Sequence, residues 1–95
     1  MKLRISAEAR RDLIAIARFG ALRFGLAQSE AYAERIARTL RTLQSAPEIA
    51  AVKTGHSRPV RLHPVGAHKI VYELEEDRIV IVRVLHAGQN LIDHI

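Results

Sequence analysis

Hydrophobic positions along this chain change their period once, from spacings of three and four before Pro47 to alternation after Ser57. Ahead of both lies a short alternating start, with Leu3 and Ile5 set against Lys2 and Arg4, which predicts an edge strand over Lys2–Ile5. Ser6 follows in the position of a helix N-cap, and Glu8 and Asp12 bring negative charge to the positive end of the helix dipole, so a helix is expected from Ala7. Ala9, Leu13, Ile16, Ala17, Gly20 and Phe24 form its apolar stripe, and Gly25 is its expected C-cap. A second helix is predicted from about Ala27 to Gln44. Tyr32, Ile36, Leu40 and Leu43 lie on its inner face, Arg35, Arg38 and Arg41 lie outside, and Glu34 is placed to pair with Arg38. The short connection at Gly25 makes the two an antiparallel hairpin.

Pro47 stops the second helix, and residues 46–57 read as a surface loop. Beyond it, Arg58–His63 is expected as a strand, Pro64-Val65-Gly66 as a turn, and His68–Glu75 as a second strand. In that second strand His68, Ile70, Tyr72 and Leu74 share one face, and Lys69, Val71 and Glu73 the other. Glu75-Glu76-Asp77-Arg78 turns the chain into a third strand, Arg78–His86. Five of the six residues from Ile79 to Val84 are branched aliphatics, as in a central strand that is apolar on both faces. Short turns between consecutive strands predict an antiparallel meander. The expected fold is therefore α+β in the order β-α-α-β-β-β, one domain over residues 1–95, with the helical hairpin packed on one face of the sheet.

One helical layer covers one face of a sheet. The Val80, Val82, Val84 face and the Ile79, Ile81, Leu85 face cannot both lie under the hairpin, so the uncovered one is expected to be an interaction surface. Each aliphatic side chain buried there by a partner contributes about 1.5 to 3 kcal/mol of gross driving force.

Composition narrows the partners. The 95 residues are 48% hydrophobic and 26% charged, a globular balance, and no apolar run reaches the roughly 18 residues of a membrane span. The start of the chain shows no secretory signal pattern, and there is no cysteine for a disulfide or thiolate metal site, so a cytoplasmic protein is expected. The net charge of +5 is uneven: residues 1–69 carry thirteen Lys/Arg against five Asp/Glu, residues 70–95 two against five. Such a field attracts nucleic acid or an acidic protein. Histidines 56, 63, 68, 86 and 94 lack compact ligand spacing, and neither a metal site nor a cofactor is expected. Tyr32 and Tyr72 read as core residues with a polar tip, Arg83 as an ion-pair partner of Glu73, and His86 as a hydrogen-bonded structural residue.

Three ordered series carry a resemblance over about Ile5 to Asn90. Asp12-Leu13-x-x-Ile16-x-x-Phe19, Phe24-Gly25-x-x-Gln28-x-x-x-Tyr32 and then Leu40, Leu43 and Pro47 resemble the helical hairpin of the ParE branch of the RelE/ParE toxin superfamily. Val60 to Gly66, His68 to Tyr72 and Ile81 to His86 resemble its strands. The resemblance implies the same fold and a bacterial type II toxin that inhibits DNA gyrase without chemistry of its own. It also implies neutralisation by an acidic ParD-like antitoxin, through which the complex reaches operator DNA. The residues expected at partner contacts are Val80, Val82, Val84, Arg61, Lys69, Arg83, His86, Gln89, Asn90, Arg35 and Arg38. RelE-like relatives instead cut messenger RNA on the ribosome, a reaction that needs a base, an acid and phosphate-clamping cations. Lys53, Arg61, Lys69, Arg83 and His86 are the set available for it. A basic interaction module without toxicity is the third reading. The run Ala87-Gly88-Gln89-Asn90 departs from relatives, which often place a basic residue there.

Overall fold

The computed structural model describes residues 1–54, 58–91 and 94. Strand β1 (Lys2–Ile5) leads into helices α1 (Ala7–Phe24) and α2 (Leu26–Ser45), followed by β2 (Val52–Lys53), β3 (Val60–Val65), β4 (His68–Leu74) and β5 (Arg78–His86). The sheet order is β1-β5-β4-β3-β2. β1 runs parallel to β5 at one edge, and every other pairing is antiparallel. The expected α+β architecture is present, with both helices on one face.

Local chemistry sets the boundaries. The Ser6 hydroxyl accepts the Ala9 N–H at 3.0 Å and donates to Val82 O at 2.8 Å, so one side chain caps α1 and ties it to β5. Gly25 alone joins the helices. At φ 92°, a backbone conformation that favours glycine, it donates to Ala21 O and its carbonyl accepts from Ser29, closing one helix and opening the next.

Several expectations are corrected. A short β2 lies within the expected loop, of which residues 55–57 fall outside the described residues. β3 runs through Pro64 and Val65 rather than turning there. Because β2 covers only Val60 and Arg61, β3 is an open edge beyond them, where a proline removes no ladder bond. Of the α1 stripe, Ala17 and Phe24 are exposed. Glu34 pairs with Arg41, two turns on, instead of Arg38.

The most consequential difference is in β5. Val71 lies opposite Arg83 but Tyr72 opposite Ile81, so one extra β5 residue is bulged out at Val82. The alternation resets there. Ile79, Ile81 and Val84 pack with Ile36, Leu40, Leu43, Ile70 and Tyr72 in the core beneath the helices, while Val82 and Leu85 join Val60, Val71 and Leu91 on the opposite face. That opposite face is not bare. Leu91 returns onto it, and Val80 and Val82 are 6% and 7% exposed.

Candidate functional site

Exposed apolar surface is concentrated at the tip of the helical hairpin instead. Phe19, Leu22, Phe24 and Leu26 surround Gly25, and Leu22 is 90% exposed. Phe19 and Phe24 meet edge to face at 6.4 Å and form the mouth of a groove of about 740 Å³ that runs between the helices and the ends of β4 and β5. Ala15, Ile16, Gly20 and Ala31 continue its apolar wall. Tyr32, Arg35, His68 and His86 form its polar end, and among the described residues no Asp or Glu lines it.

Backbone geometry builds that polar end. Gly66 turns β3 into β4 at φ 55°, and a Cβ there would stand 2.6 Å from the Tyr32 ring, so the turn closes only around a glycine. The Tyr32 hydroxyl accepts the Ala67 N–H at 3.1 Å and lies 3.1 Å from Val65 O and 2.6 Å from His68 Nδ1. The bulge in β5 places His86, rather than Leu85, directly opposite His68, and the two rings meet edge to face at 5.7 Å. His86 Nδ1 accepts the Gly88 N–H at 3.2 Å. Burial, and then repulsion from His86, lower the pKa of His68, so it is neutral at neutral pH.

Most of the residues proposed for phosphate chemistry are engaged in structural hydrogen bonds. Arg83 makes two hydrogen bonds to Asp12, at 2.8 and 2.9 Å, and the same carboxylate accepts the Val84 N–H at 2.9 Å on the edge of β5 that β1 leaves open. Those bonds raise the guanidinium pKa further, with burial opposing. Glu73, the partner expected for Arg83, pairs with Arg58 at 2.8 Å. Arg61 donates to Ala50 O at 2.6 Å beside Tyr72, whose hydroxyl, its pKa raised by burial, donates to Pro47 O at 2.8 Å. Lys69 Nζ donates to Gln89 O at 2.6 Å, and the Gln89 side chain accepts the His86 N–H at 2.7 Å. Lys53 is exposed on β2.

Lys69, His86, Gln89 and Asn90 thus share the turn that ends the sheet, while Arg35 and Arg38 are exposed on α2. Val80, Val82 and Val84 are buried. Among the described residues no cluster of three potential ligands could hold a metal; His56 lies outside them. Sequence reasoning missed Tyr32 and His68 as site residues. The available signal was that His68 opens one strand of a hairpin and His86 closes the next.

The family model described as the ParE toxin of the type II toxin-antitoxin system, parDE, matches residues 3–91. Among solved structures, one described as the chromosomal ParDE TA system from P. aeruginosa is similar, with a TM-score of 0.77 and 20% identity, over 90% of this chain and 95% of that one. At that identity the likeness speaks to the fold alone. No curated protein sequence matches.

Proposed function

Because this chain belongs to the ParE toxin family of type II toxin-antitoxin systems, we propose that it inhibits DNA gyrase by binding alone, and that an acidic ParD-like antitoxin neutralises it. What carries the reading beyond the family is how the candidate nuclease residues are used. Arg61 holds the loop after α2, Lys69 the terminal turn and Arg83 helix α1, so three of the five cations and bases spend their hydrogen bonds on the fold. A catalyst for RNA cleavage needs those groups converging on one phosphate.

The apolar groove and hairpin tip give an antitoxin a surface to cover, and a chain of net charge +5 favours an acidic occupant. Arg35 and His86 line that surface and Arg38 is exposed one turn beyond Arg35 on α2; we assign all three to partner contact, with Gln89 and Asn90 at the adjoining turn. Operator DNA is reached through the antitoxin, and the site of action is the cytoplasm, where gyrase and DNA are found. Among the described residues no helix is long and apolar enough to cross a membrane.

A supercoiling assay tests this. The purified chain is expected to lower the supercoiling yield of purified gyrase, to leave ribosome-bound message intact, and to lose its effect when the acidic protein encoded beside it is added. Undiminished supercoiling together with cut message would replace the proposal by the RelE-like reading.

A further inference from the structure

We propose that Arg35, His68 and His86 form a carboxylate-recognition subsite at the polar end of the groove, which takes an Asp or Glu side chain of the docked acidic segment and couples docking to proton uptake. This rests on the reading that an acidic partner occupies the groove. His86 Nδ1 accepts from the Gly88 N–H, so in the neutral ring the proton is on Nε2. The Tyr32 hydroxyl donates to Val65 O at 3.1 Å, so its 2.6 Å contact with His68 Nδ1 is one it accepts; the proton of neutral His68 is on Nδ1 and Nε2 is the nitrogen free to take up another. The His86 Nε2–H, and the His68 Nε2–H once that ring is protonated, are therefore donors on residues directly opposite one another across β4 and β5, in a groove that also carries the Arg35 guanidinium. Three donor groups, with no Asp or Glu among the described residues that line the groove, make a site for an anion.

The same hydrogen bonds accommodate a proton. When His68 is protonated at Nε2 its Nδ1–H still donates to the Tyr32 oxygen, and the Tyr32 O–H bond to Val65 O and the Ala67 N–H bond to Tyr32 both persist. No group in the network is stranded by the change. Among the described residues, the charged and titratable groups around the pair are Arg35 and Tyr32 from α2, Lys69 from β4, and His94 beside Gln89 at the terminal turn; α1 presents only apolar lining. Arg83 on β5 is already neutralised by Asp12. Burial and the neighbouring His86 keep His68 neutral until a carboxylate arrives, and the carboxylate then favours its charged form. Affinity for the acidic occupant consequently rises as pH falls.

Octanoate and octanamide, which share an apolar tail and differ in the charged head, provide the test. Octanoate is expected to bind the full chain and to raise the apparent pKa of His68 or His86 followed by NMR. Its affinity should increase from about pH 8 to about pH 6, towards a ceiling of about tenfold per pH unit for one proton taken up. Octanamide should bind more weakly and without pH dependence. The exposed-site variants Arg35→Gln and His86→Gln should weaken octanoate binding, and His68→Gln should flatten its pH profile. Absent octanoate binding, equal binding of the two probes, or a pH-independent octanoate affinity overturns the subsite. Because neither gyrase nor antitoxin enters this measurement, its failure alongside intact inhibition and neutralisation leaves the proposed function standing, and the reverse result removes only that function.

Discussion

At the scale of single residues, the contrast between two ion pairs shows which charges matter to the fold. Arg41 and Glu34 meet at 3.1 Å on the surface of α2, with side chains 61% and 56% exposed, where screening and side-chain entropy leave little net gain. Asp12 and Arg83 are 15% and 21% exposed, bridge α1 to β5 with two hydrogen bonds, and share Asp12 with the Val84 N–H. Removing Asp12 strands both a mostly buried cation and a strand-edge amide. Asp12→Ala is expected to lower the unfolding free energy by about 3 kcal/mol, whereas Glu34→Ala should change it by less than about 0.5 kcal/mol. Urea denaturation of both variants decides this, and similar losses would mean that the Asp12 bridge adds nothing beyond a surface pair. The partner of Arg83 was not legible from sequence because Asp12 is 71 residues away, and only the packing of α1 across β5 brings it near.

Among the secondary-structure elements, the helices and their caps were legible because Ser6, Gly25 and the three-and-four spacing act locally. β5 was not. Strict alternation assigns Val84 to the face of Val80 and Val82, yet the bulge at Val82 turns Val84 under the helices and Leu85 to the far side. Nothing in six aliphatic positions marks where the extra residue falls. The same bulge aligns His86 with His68, so the polar end of the groove was hidden along with it. The far face also closes on itself, through Leu91, where pattern alone left it open. Val82→Asp therefore tests packing against partner contact. A carboxylate buried among Val60, Val71, Leu85 and Leu91 is expected to cost more than about 4 kcal/mol and to abolish the cooperative thermal transition followed by circular dichroism. A folded variant that had lost only antitoxin binding would restore this face as an interface.

For the whole molecule, the relevant comparison is between its size and the reach of its field. The chain extends 38 × 28 × 21 Å, and its excess positive charge lies in residues 1–69, against two Lys/Arg and five Asp/Glu in residues 70–95. At about 0.1 M salt the screening length of about 10 Å spans a large part of the molecule, so the cations of the helical layer act together on an approaching acidic chain; at about 1 M it contracts to about 3 Å and they act singly. Steering of this kind changes encounter more than residence, because the docked contact is sealed by apolar groups such as Phe19, Phe24 and Ile16. Association with the acidic antitoxin, measured by stopped flow, should slow by at least about tenfold over that salt range. Dissociation should change by less than about threefold over the same range, because the apolar seal is indifferent to screening. If salt acted mainly on dissociation, the complex would be held by ion pairs at the docked interface, and the apolar groove would not be its principal contact.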